Sequence, residues 1–168
     1  MSRTYWILFA SIALVCITVG VLWAVVAMPW QSPEQALARF YSYTAPEEEL
    51  MDPLIFGGKE IVPMVVSKVI QPDMLRRRYA IGFLGNGRFP EALPVLRNIL
   101  EDEREKDYVR ADALKAIYQI DQQLGIAATK LYADRSDGLG RMSQQLLKEP
   151  STATSFRSYL DALLGRPS

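Results

Sequence analysis

The chain has 168 residues, no histidine, a single cysteine, and 19 basic residues against 19 acidic ones, so its formal net charge is zero. That balance leaves no nucleic-acid footprint, which needs a strongly basic face. With Cys16 as the only thiol and no imidazole, the common acid/base and thiol-nucleophile constellations cannot be assembled, and zinc or haem sites lose their usual ligands.

The 49% hydrophobic content is concentrated at the N-terminus. Residues 4–33 carry no charge, and residues 6–28, "WILFASIALVCITVGVLWAVVAM", are almost wholly apolar. About 20 such residues suffice to cross the hydrocarbon core. The Leu, Ile, Val and Phe residues of this stretch favour insertion by on the order of 4 to 7 kcal/mol. Tyr5, Trp6 and Trp30 suit the two interfaces. A cleaved signal peptide is the rival reading, since "VVA" ending at Ala27 is an acceptable cleavage site. The apolar run, however, exceeds the roughly 7 to 15 residues of a signal core. A retained single-pass transmembrane helix over residues 5–29 is therefore expected, after a tail of residues 1–4. Arg3 and the amino terminus precede the span, and acids dominate after it. That places the N-terminus in the cytoplasm and the rest of the chain outside, in the periplasm if the membrane is a bacterial inner membrane. Ala13, Cys16, Gly20, Ala24 and Ala27 form a stripe of small residues at three- and four-residue spacing. Such a stripe lets another transmembrane helix approach closely.

Beyond the span lie all the acids and all but one of the basic residues, so that part is close to neutral. Residues 34–60 are acid-rich and residues 76–110 base-rich. Such runs are usually solvated helix faces, and otherwise choose a partner electrostatically. In "SPEQALARFYSYT", Ser32 is the expected N-cap and Pro33 the first helical residue, giving a juxtamembrane helix and linker over residues 30–45. Pro46 and three glutamates open a second helix, with Leu50, Met51 and Leu54 as its apolar contacts, and Gly57 and Gly58 end it. "KEIVPMVVSKVI" has helical spacing but enough β-branched residues for a strand. Pro63 favours the helix, since in a first turn it costs little and in a ladder it removes a hydrogen bond.

This segment matches "PEALPVLRNIL" at an offset of 31, with Glu60 on Glu91, Val62 on Leu93, Pro63 on Pro94 and Val69 on Leu100. "RRYAIGFL" matches "RADALKAI" at an offset of 33, with Arg77 on Arg110 and Ala80 on Ala113. Helix, turn and helix alternate with a period just over 30.

The run "LRRRYAIGFLGNGRFPEALPVLRNIL" followed by "DYVRADALKAIYQI" resembles HEAT-type repeats of the short bacterial kind, similar to phycobilisome-lyase-like repeat proteins. The resemblance covers roughly residues 47–135, one good repeat flanked by two degraded ones. It implies an all-α chain in which a short α-solenoid of helix pairs, residues 46–135, follows the span. It also implies that Arg77 and Arg110 tether one repeat to an acid in the next, with Asp73, Asp107 and Asp112 as candidate acceptors. Arg76 and Arg78 have no repeat equivalent and, with Arg88, are the candidate partner-binding residues.

"GFLGNGR" follows a helix and lacks the Lys-Ser/Thr of a phosphate loop, and its glycine spacing reverses the dinucleotide fingerprint. It is expected to be a turn, with Gly85 as the left-handed cap of the preceding helix and Pro90 starting the next. "DRSDGLG" lacks the alternating carboxylates of a calcium loop and is expected to be a linker. Two amphipathic helices follow it, with stripes at Leu139, Met142, Leu146 and at Phe156, Leu160, Leu164, forming a C-terminal helical cap over residues 136–168.

The expected function is a membrane-anchored scaffold that binds the bilayer and one or more protein partners, with no catalysis, cofactor, metal, nucleic acid or small-molecule substrate. The alternatives are an accessory subunit of a larger membrane complex held through its span, and, by repeat analogy, a chaperone-like or lyase-like factor.

Overall fold

The computed structural model describes residues 32–149. The expected span with its small-residue stripe, and the apolar positions Phe156, Leu160 and Leu164, lie outside the described residues. Among the described residues every regular element is helical, and no helix is long and apolar enough to cross a membrane.

The first helix, α1 (Pro33–Ser42), starts as expected from Ser32 and Pro33. The Ser32 hydroxyl accepts from the Gln35 amide at 3.3 Å while the Gln35 side chain accepts from the Ser32 amide at 3.2 Å, a reciprocal capping box. Its Ala36, Leu37 and Phe40 are buried against α2 (Asp52–Phe56). The helix expected from Pro46 onward is instead split into a 3-10 turn over Glu47–Glu49 and the short α2. Pro53 is the cause: it has no amide hydrogen, and its ring would meet the carbonyl four residues back in a continuous helix. Gly57 caps α2, and Gly58 turns the chain with φ 66°.

Pro63 is the second residue of α3 (Val62–Val69) and Pro94 the second residue of α5 (Leu93–Glu101). In both helices the proline sits where an amide hydrogen has no intrahelical acceptor to lose. Pro90, expected to start α5, instead opens a 3-10 turn, Pro90–Ala92, ahead of it.

Between them lies α4 (Arg77–Asn86), whose far end corrects the sequence expectation. Gly85 is inside the helix, Gly87 is the C-cap with φ −75°, and Arg88 holds the left-handed position with φ 53°. The Arg88 amide donates to the Gly85 carbonyl at 3.0 Å and the Phe89 amide to the Leu84 carbonyl at 3.3 Å. Those two bonds define a Schellman closure, and the Phe83–Phe89 ring contact at 5.3 Å is its accompanying apolar clasp. The glycines serve packing instead. A Cβ on Gly87 would stand 2.1 Å from the Phe89 ring, and one on Gly85 would stand 2.6 Å from Ala116 Cα.

That close approach brings α4 against α6 (Asp107–Ile120), the helix around which the fold is organised. Besides α4, it touches α5, α7 (Gln122–Tyr132) and α8 (Gly138–Lys148). A helix covered on several sides needs small or apolar residues nearly all round. Ala113, Leu114, Ala116, Ile117 and Tyr118 meet that need, and each fully buried Leu or Ile contributes about 1.5 to 3 kcal/mol. Gly125 lets α7 lie against α6, since a Cβ there would stand 2.4 Å from Tyr118 Cα. The expected linker "DRSDGLG" ends in the start of α8: Asp137 is its N-cap, accepting from the Gly140 amide at 3.0 Å. Leu139 and Leu146 of the expected stripe are buried, and Met142 packs partly buried beside them.

Candidate functional site

Two buried arginines occupy matching places. Arg77 Nε donates to the Val69 carbonyl at 2.6 Å, and Arg110 Nε donates to the Leu100 carbonyl at 2.8 Å. Val69 ends α3 and Leu100 lies in the last turn of α5, so each arginine ties the start of one helix to the end of the preceding one. Those terminal carbonyls have no intrahelical donor, and a guanidinium meets them favourably. The acidic partners differ from the sequence expectation. Arg77 pairs with Glu105 rather than with Asp73, Asp107 or Asp112, and Arg110 stacks 5.6 Å from the Tyr132 ring, its charge also acting on Asp102 and Asp137. Asp107 accepts from the Gly138 amide at 2.7 Å, which fastens the start of α8 beside that of α6. These arginines are buried and internally satisfied, and therefore structural.

Arg76, Arg78 and Arg88 do not gather on one surface. Arg76 precedes α4 in the left-handed region with φ 58°, and its Nη1 donates to the Phe40 carbonyl at 2.5 Å, tying α4 to α1. Helical rise is about 1.5 Å per residue, which holds Arg88, at the other end of α4, roughly 18 Å away. Arg88 is exposed, and its side chain makes no hydrogen bond or ion pair with the described residues. Arg78 is half-exposed and forks onto Asp112, Nε to Oδ2 at 2.5 Å and Nη2 to Oδ1 at 3.2 Å, with the Tyr108 ring 5.1 Å from its guanidinium. The Asp112 hydrogen bond raises the pKa of Arg78 further above its ordinary value, so its charge is permanent.

Arg78 lines a concave feature. A groove of 190 Å³ runs between α4 and α6, lined by Arg78, Tyr79, Gly82 and Asn86 from α4 and by Asp112, Lys115 and Gln119 from α6, with Met51 closing one side. The spacing explains the membership: residues three, four and seven or eight apart share one face of a helix. Gln119 donates to the Asn86 side chain at 2.6 Å, and the Tyr79 hydroxyl donates to Glu47 at 2.8 Å. That bond to Glu47 holds the Tyr79 phenol above its ordinary pKa. Lys115 is half-buried in the lining and has no anionic partner among the described residues. The sequence did not bring Lys115, Asp112 and Asn86 together as the lining of one groove. The available signal was Gly82, a mid-helix glycine with no turn to explain it.

Among the described residues no group of three His, Cys, Asp or Glu side chains is placed to hold a metal ion. The groove sets Lys115 beside the Arg78–Asp112 ion pair and the Asn86–Gln119 amide pair. The chain matches no protein-family model, no curated protein and no solved structure.

Proposed function

We propose that the chain is a membrane-anchored helical-repeat scaffold: residues 5–29 hold it in the bilayer, N-terminus cytoplasmic, and the helical part presents a surface to protein partners without catalysis of its own. The observation that carries the repeat reading is the recurrence of one device at matching positions. Arg77 and Arg110 each donate Nε to the end of the preceding helix, and Pro63 and Pro94 each stand second in those preceding helices. A chain that repeats its inter-helix fastening resembles HEAT-type architecture, in which stacked helix pairs make an extended binding surface. The groove between α4 and α6 supports binding as the use of that surface, since it is a concavity lined by polar and charged side chains. The anchor adds a second effect, because confinement to the membrane raises the effective concentration of partners held there.

One feature favours a more specific form of the same role. The small-residue stripe of the span suits a helix–helix contact in the bilayer, as in an accessory subunit of a larger membrane complex.

Both forms are tested by solubilising membranes in mild detergent, purifying the full chain and identifying what accompanies it in fixed proportion. The scaffold reading expects such a partner. Gly20→Ile should remove the partner if the span makes the contact and leave it in place if the helical part does.

A further inference from the structure

Gly82 is the residue that the packing does not require. A Cβ built there would meet only Met51 Sδ at 3.5 Å, an ordinary contact, whereas at Gly85 and Gly125 it would fall within 2.6 Å of backbone. Gly82 lies inside α4, and its φ is outside the left-handed region, so alanine would fit there. Alanine would also be favoured by up to about 1 kcal/mol on helix propensity. What glycine provides is space, because it lines the 190 Å³ groove between α4 and α6. Around that space one charge is left without a partner. Two cations, Arg78 and Lys115, stand with two acids, but Asp112 is committed to Arg78 through two hydrogen bonds and Glu47 to the Tyr79 hydroxyl, so neither pairs with Lys115. The Lys115 ammonium is thus a donor with no described acceptor, beside an opening of side-chain size and the apolar wall of Met51.

We propose that this groove docks an extended, acidic segment of a protein partner: a Glu or Asp carboxylate of the segment pairs with Lys115 beside Arg78, and an adjoining aliphatic portion lies over Gly82 against Met51. Lys115 and Gly82 are then specificity-determining residues, one by charge and one by leaving room. This assignment rests on the scaffold reading and names its partner chemistry.

The test uses the full chain in detergent micelles. Fluorescein-labelled hexapeptides of alternating Ala and Glu, and matched Ala/Gln and Ala/Lys peptides, are titrated by anisotropy at low and at moderate salt. The Glu peptide should bind in preference to the other two, and more weakly as salt rises. Lys115→Glu should weaken it by about tenfold or more, a change of 1.4 kcal/mol per tenfold. Lys115→Arg should retain it. Gly82→Leu should abolish binding, and unchanged helicity and melting would show that this variant remains folded; should it not fold, Lys115→Glu decides. Equal affinity for the Glu and Gln peptides, no binding at all, or binding untouched by Lys115→Glu would overturn the assignment, as would binding seen only after deletion of residues 150–168, which include Asp161. The two readings fail separately: a wild-type chain that keeps its partner while Glu-peptide binding is untouched by Lys115→Glu removes the groove and leaves the scaffold, whereas absence of any partner with the wild-type chain removes the scaffold.

Discussion

Three residues of one short segment, Gly82, Gly85 and Arg88, are distinguished by what surrounds each. Gly85→Ala pushes a methyl into Ala116 and Gln119 and should destabilise by about 1 to 3 kcal/mol. Gly82→Ala should be neutral or stabilising by up to about 1 kcal/mol. Thermal melts of the two variants, side by side, check the contrast. Arg88 sits with φ 53° where glycine would be unstrained, so Arg88→Gly should raise the melting temperature by an amount equivalent to roughly 1 kcal/mol. Arg77 is different in kind, being 7% exposed and paired with Glu105 at 11%. Arg77→Met leaves that carboxylate and the Val69 carbonyl without their donor and should cost about 3 kcal/mol. Adding Glu105→Leu should recover much of the loss, and a double-mutant cycle in denaturant measures it. The repeat alignment set Arg77 and Arg110 at matching positions, and both donate Nε to the end of the preceding helix. It misassigned their acceptors, because which acid a long guanidinium reaches depends on how helices cross, and a repeat alignment contains no crossing angles.

At the scale of elements, local chemistry settled most of the helix starts. Ser32, Pro63 and Pro94 each act within one turn of their own backbone, and each stands where its type predicts. The ends were harder to read. Three glycines in "GFLGNGR" compete for one left-handed position, and the structure gives it to none of them, because Ala116 and the Phe89 ring claim the space beside Gly85 and Gly87. Helix α8 was legible as an apolar stripe, but its start lay hidden in an apparent linker. Asp137 makes that start and also carries a pH dependence. The Arg135 hydrogen bond, followed by the Gly140 amide, lowers its pKa from 3.8 to about 2. The fold therefore favours the ionised form. The contribution is fully present above the ordinary value of 3.8 and is lost as pH falls through about 2. Acid titration of α8 helicity should show this loss, and Asp137→Asn, which keeps a capping oxygen but cannot ionise, should remove that part of the pH dependence.

For the molecule as a whole, the helical class of the described part was legible from apolar spacing together with helix-start residues, Pro63 deciding against a strand where the spacing left both open. The groove was not, because it belongs to no single element. It arises where Gly82 of α4 faces Lys115 of α6 and Met51 closes one side, and those residues meet only once α4 and α6 have packed. The account therefore makes binding a property of assembled helices and attachment a property of the apolar N-terminus. The most direct test is the native mass of the full chain, extracted from its own membranes in mild detergent, together with the composition of the purified particle. The account predicts a particle containing a second protein in fixed stoichiometry. A chain that runs alone, as a monomer with no stoichiometric companion, would contradict it.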